Sequence, residues 1–154
     1  MTTTPTTGRA TDASAILKRH AVSITGNLNS VRTLVFVHGF GTDQTIWDTV
    51  ARAFESDWRI VRFDNAGAGR ADPAAFVASR YLNLGGYADD LLAVCAAAGV
   101  RDAVLVGHSI GAMICALAAI REPKRFSKLV MIGASPRYLD APGVPRRLHG
   151  QRSQ

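Results

Sequence analysis

The chain has 154 residues and a formal net charge of +6, with 47% hydrophobic and 19% charged residues, a balance that suits a globular protein and excludes a disordered or coiled-coil one. No apolar run reaches the roughly 20 residues that span a bilayer, and Met1 to Ser14 is threonine-rich without a basic start or an apolar h-region, so the chain reads as cytoplasmic, with neither membrane span nor secretory signal. Basic residues gather near the end at Arg137, Arg146, Arg147 and Arg152, but no aromatic or glycine-rich pattern interleaves them, which argues against nucleic-acid binding.

Residues 1–15 read as a disordered N-terminal segment, followed by a globular core over 16–141. Ala21 to Thr25 alternates as a short strand does, and Gly26-Asn27-Leu28-Asn29-Ser30 marks a turn. Thr33-Leu34-Val35-Phe36-Val37 is a continuous apolar run of strand length, the pattern of a strand covered on both faces. Trp47, Val50, Ala51 and Phe54 recur at i, i+3, i+4 and i+7, which predicts a helix with one buried stripe. A strand at Arg59 to Phe63 leads into the loop Asp64-Asn65-Ala66-Gly67-Ala68-Gly69. Tyr87, Leu91, Leu92, Cys95 and Ala98 share a helical face, and Gly99 is placed to end that helix.

Ala103 to Val106 predicts a strand, and the next helix carries Ile110, Met113, Ile114 and Leu117 as its core stripe until Pro123 stops it. Lys128 to Ile132 is the last predicted strand. Strands alternating with helices imply an α/β fold with a mostly parallel sheet and flanking helices. Cys95 and Cys115 fall on apolar helix faces, where thiols act as small hydrophobes. No ligand spacing accompanies them, so neither a disulfide nor a metal site is expected, and no cofactor. Pro142 to Gln154, with two prolines, two glycines and three arginines, reads as a disordered basic tail over 142–154.

Chemistry concentrates at Gly107-His108-Ser109-Ile110-Gly111. A G-x-S-x-G sequence between a strand and an apolar helix is a nucleophile elbow, whose sharp turn exposes the serine hydroxyl. Ser109 is therefore the candidate nucleophile. Such a hydroxyl needs N–H donors for an oxyanion. Ile110 offers one, and Phe40 in the loop His38-Gly39-Phe40-Gly41 offers the second, since both strand ends emerge on the carboxyl edge where open α/β sheets place ligands. Gly39, Phe40 and His108 are expected to border the substrate pocket, with the His108 ring packing and turned from the Ser109 hydroxyl. His38 is expected to bond backbone in its loop. His20 and His149 have no acid at a recognisable spacing. Asp43 and Asp72 suit turns or helix caps, and Asp64 suits bonds to loop amides.

These residues resemble the serine α/β-hydrolase family. The run His38 to Trp47, Phe63-Asp64 before a glycine-rich loop, and the stretch from Gly107 to Asp140 are similar to one subgroup, which holds the bacterial hydrolase that activates the sigma-B stress response and the plant strigolactone and karrikin receptors. The resemblance covers about Arg19 to Pro142 and implies an apolar pocket under a helical lid, a Ser-Asp-His triad and slow hydrolysis of small apolar esters or lactones. In the bacterial branch it also implies a signalling protein partner. Ser109 matches the nucleophile, while no position matches the triad Asp or His. The chain also departs from the subgroup in its loop, where Ala71 stands in the usual place of a serine.

Codons exist for Gly143 to Ser153 that, read one base later, give G-Y-R-G-G-F-T-A-N-E-A, and the subgroup has a G-Y-x-G-G-F-like segment there, entering its lid. The expectation is a fold truncated before the lid and last strands, with a frameshifted tail. Two other readings stay open: a non-catalytic binding or signalling protein, and a truncated product without function. Dehalogenases and epoxide hydrolases carry aspartate where Ser109 stands.

Overall fold

The computed structural model describes residues 7–135. In chain order these form α1 (Thr7–Arg19), β1 (Ser23–Gly26), β2 (Thr33–Val37), a 3-10 turn at Gln44–Trp47 running into α2 (Asp48–Arg52), β3 (Arg59–Arg62), 3-10 turns at Pro73–Ala75 and Ala78–Tyr81, α3 (Gly85–Ala97), β4 (Ala103–His108), α4 (Ile110–Arg121) and β5 (Phe126–Ile132). The sheet order is β1-β3-β2-β4-β5. Only the β1–β3 pair is antiparallel, while β2–β3, β2–β4 and β4–β5 run parallel. This is the mostly parallel α/β architecture expected from the sequence.

All five residues of β2 are buried, because both faces of the sheet are covered. Leu34 and Phe36 pack on one face with Trp47, Ala51, Ile60 and Val106. Val35 and Val37 pack on the other with Leu91, Val94, Ile114 and Ala118 from α3 and α4. Gly99, with φ of +64°, ends α3 as expected, and the Val100 N–H closes it by donating to the Cys95 carbonyl at 2.8 Å. Cys95 and Cys115 are free and buried.

The structure corrects several expectations. The N-terminal segment assigned to disorder over 1–15 is helical from Thr7, and Ile16 and Leu17 pack against the main core. The spacing Ala13, Ile16, Leu17, His20 is a helical stripe, masked by the threonines before it. In the segment after β2, Trp47 and Ala51 are buried, but Val50 and Phe54 remain 43% and 39% exposed, since α2 stops at Arg52 after a turn and a half. The fully buried residues of α4 are Gly111, Ala112, Ile114, Cys115 and Ala118; Ile114 is core as expected, Leu117 packs half-buried against that core, and Met113 is half-buried. Small residues win that face because the helix lies close on the sheet: a Cβ on Gly111 would come within 2.5 Å of the Val37 and His38 carbonyl oxygens. Helix α4 ends at Arg121, before Pro123. Among the described residues β5 has a neighbour on one side only. The tail 142–154 lies outside the described residues.

Candidate active site

Ser109 joins the end of β4 to the start of α4 with φ of +53° and ψ of −123°. This is a region that non-glycine residues occupy at a cost of about 1–3 kcal/mol, held only where surroundings impose it. Three contacts impose it here. The Ser109 N–H donates to the Ile132 carbonyl of β5 at 2.8 Å, and the Ser109 carbonyl accepts from Ala112 N–H at 3.0 Å. Gly107 lies so close to α4 that a Cβ would meet the Ala112 Cα at 2.5 Å. The flanking glycines are thus steric requirements of the turn. Ile110, as the first residue of α4, has an N–H without an intrahelical acceptor.

The loop after β2 passes directly against this turn. A Cβ on Gly39 would lie 3.2 Å from the Ser109 Cβ and 3.0 Å from His108 Nδ1. The Gly39 carbonyl accepts from His38 Nδ1 at 2.9 Å and from the Thr42 hydroxyl at 3.0 Å. Since C=O and N–H point opposite ways across a trans peptide, these two bonds turn the Phe40 N–H away from His38 and Thr42. The tautomer follows from the network: His38 Nε2 accepts from Asn65 N–H at 2.9 Å, so Nδ1 carries the proton. Asn65 also donates its side-chain amide to the His38 carbonyl at 3.3 Å. His38 therefore bonds backbone in its loop, as expected, and neither ring nitrogen is left to act as a base.

A cleft of about 670 Å³ opens at this carboxyl edge. Gly39, Phe40, Ala66, Phe76, Tyr87, Ile110 and Ile114 line it, with His38 and Asn65 among its polar groups. The Phe40 side chain is 91% exposed at its rim. Ser109 is not itself a lining residue, but it adjoins two that are, with Gly39 packed against its Cβ and Ile110 next in the chain. Of the three residues expected at the substrate pocket, Gly39 and Phe40 line this cleft and His108 does not. Its ring lies between Gly39 and Gly133.

The other titratable groups have structural duties. Asp64 accepts from Gln44 N–H and Arg70 N–H, each at 2.8 Å, and so ties the glycine-rich loop to the turn after β2. Asp43 caps the 3-10 turn through Thr45, and these hydrogen bonds hold its carboxyl below the usual range. Asp72 caps the turn at Pro73 by accepting from Ala74 N–H at 2.9 Å. His20 is buried, with Nδ1 3.2 Å from the Asp64 carbonyl and Nε2 3.9 Å from Asp90. Among the described residues no histidine bonds the Ser109 hydroxyl, and no group of residues is arranged to hold a metal ion. No described helix is long and apolar enough to cross a membrane. His149 lies outside the described residues.

Sequence reasoning missed the aromatic wall of Phe76 and Tyr87, and the buried Asp90 behind it. A signal existed: Asp90 falls inside the apolar stripe of α3, beside Tyr87, Leu91 and Val94, where a carboxylate has to find partners.

Several known proteins are similar to this chain. A karrikin insensitive 2 receptor of Petunia hybrida is 44% identical over 121 residues, covering 79% of this chain and 44% of the receptor. A strigolactone esterase of Arabidopsis thaliana is 44% identical over 109 residues, covering 71% of this chain and 41% of the esterase. A solved hydrolase from Oleispira antarctica superposes with a TM-score of 0.78 at 31% identity, over 84% of this chain and 47% of its own. The chain thus spans less than half the length of these relatives. The family model for the alpha/beta hydrolase fold matches residues 32–152, and with the strained serine between β4 and α4 this establishes that the chain belongs to the α/β-hydrolase family.

Proposed function

We propose that this chain carries the nucleophile and oxyanion half of a serine hydrolase acting on small apolar esters or lactones. The observation that carries the reading is Ser109, held at positive φ between β4 and α4 with Gly39 packed against it. In the proposed reaction the Ser109 hydroxyl attacks the ester carbonyl carbon and its proton passes to a base. The resulting oxyanion accepts from Phe40 N–H and Ile110 N–H, the alcohol leaves, and water then releases the acid from the acyl-serine. Gly39 and Phe40 shape the mouth of the pocket. The base and its acid are not among the described residues. Loss of a triad member leaves roughly 10³ to 10⁴-fold acceleration over water from the oxyanion hole and binding, the least turnover this reading expects.

A second reading, ligand binding linked to signalling through a protein partner in the cytoplasm, as in the sigma-B branch, is favoured by the receptor name carried by the Petunia relative. Hydrolysis of 4-nitrophenyl acetate by the chain and by Ser109→Ala separates the two. A rate that falls to the buffer background in Ser109→Ala supports the hydrolase, and equal rates in both proteins support binding without turnover.

A further inference from the structure

Asp90 sits on the buried face of α3 at 5% exposure and touches no part of the cleft. A buried carboxylate persists only when it is bonded, and its partners come from outside its own helix. Oδ2 accepts from the Tyr81 hydroxyl at 2.7 Å. Oδ1 accepts from the Arg80 guanidinium and lies 3.9 Å from His20 Nε2. Tyr81 in turn stacks on Phe76, with ring centroids 5.1 Å apart and planes 8° from parallel. Its other neighbour is Tyr87, at 4.6 Å and 42°. Phe76 and Tyr87 line the cleft, whereas Tyr81 does not.

We propose that Asp90 and Tyr81 are positioning residues for the ligand cleft: the Asp90 carboxylate fixes the Tyr81 hydroxyl, and the Tyr81 ring fixes Phe76 and Tyr87 in the orientation that shapes the cleft wall. The inference rests on the cleft being the ligand site of the proposed function. It follows from how little else holds Phe76, whereas Tyr87 also packs from α3 against the main core. Phe76 belongs to a segment of two short 3-10 turns whose apolar side chains, Phe76, Val77 and Leu82, are all exposed, so burial contributes little to its placement. Its first turn is tied by Asp72, whose N–H donates to the Arg19 carbonyl at 2.8 Å and whose carboxylate caps Ala74, and its second turn is tied through Arg80 and Tyr81 to the Asp90 carboxylate. Phe76 also abuts the glycine-rich loop, where a Cβ on Gly67 would meet the ring at 3.1 Å, so a shift of the stack moves two walls together. Burial, and then the hydrogen bond to Asp90, push the Tyr81 hydroxyl up to about 12, so it remains a donor at neutral pH.

Tyr81→Phe keeps the ring and removes only the hydroxyl, and the test is its affinity for 2-naphthol, a flat apolar probe whose fluorescence reports entry into an apolar site. Titrations use the full chain at a temperature where circular dichroism shows each variant folded. The expected result is a loss of about 2 to 10-fold in affinity, the scale of one aromatic contact misplaced. Asp90→Asn, which retains an acceptor for the Tyr81 hydroxyl, should bind more tightly than Asp90→Ala. Ser127→Ala is the control, because Ser127 bonds the Asp102 and Ala103 carbonyls and lies outside the cleft lining. Unchanged affinity in Tyr81→Phe overturns the proposal, as does a wild-type chain that does not bind 2-naphthol. Equal affinity loss in Ser127→Ala also overturns it, by showing that binding only follows stability. Binding needs no reaction at Ser109, so a Tyr81 effect in a chain without esterase activity would sink the hydrolase reading and leave this one standing.

Discussion

At the residue scale the main feature is strain kept in one place. Ser109 holds a backbone conformation that suits glycine, at a cost of about 1–3 kcal/mol, although a strand, a helix and a loop meet there. Ser109→Gly should therefore raise stability by about 1 kcal/mol in urea unfolding, even after the greater freedom of glycine in the unfolded chain, about 0.5–1 kcal/mol, is set against it. A less stable glycine variant would show that the turn is not strained. His38 tests the neighbouring loop. Its ring bonds the Gly39 carbonyl and the Asn65 N–H, so His38→Ala leaves the Asn65 N–H without a partner and the Gly39 carbonyl with Thr42 alone, and should cost about 1–3 kcal/mol. The amide resonance of Phe40 should shift in the same variant, because its peptide loses an anchor.

At the element scale the strands and the elbow were legible because each carries its own local signal. The run Thr33 to Val37 coincides with β2, since a strand buried on both faces has no polar alternation to blur its ends. The G-x-S-x-G spacing located the β4 to α4 turn because sterics demand those glycines. Helix faces were less legible. Counting large apolar residues found Ile114 and the half-buried Leu117, but proximity to β2 buries Gly111, Cys115 and Ala118 more deeply, a choice that depends on interaxial distance and not on hydropathy. Gly111→Ala tests this reading: its Cβ would press on two carbonyl oxygens of the neighbouring strand end. The variant should lose about 1–3 kcal/mol by chemical denaturation, although alanine is the better helix former. The wall of the cleft was illegible for a related reason, since Phe76, Tyr81 and Asp90 are joined by hydrogen bonding and stacking across turns with no sequence periodicity.

At the scale of the whole molecule, buried neutral groups set the response to alkali. Burial pushes the Cys95 thiol up to about 12 and raises that of Cys115, and Tyr81 is pushed up to about 12. Each holds its proton more tightly folded than unfolded, so the stability they contribute is complete below about pH 9. It is lost as pH rises from there toward about 12, when the unfolded chain ionises first. Urea melts at intervals across that range should show a falling midpoint, and neither thiol should react with iodoacetamide before unfolding. A midpoint that stays level, or alkylation of the folded chain, would contradict this burial.

The proposed function turns on one serine, half-buried in the strained turn between β4 and α4. The most direct measurement is exposure of the folded chain to a fluorophosphonate, with the modified residue located by peptide mass spectrometry. The account predicts phosphonylation at Ser109 ahead of every other serine, slowly, and its disappearance in Ser109→Ala. A folded chain that stays unmodified at Ser109, or is modified indiscriminately across its serines, would contradict it.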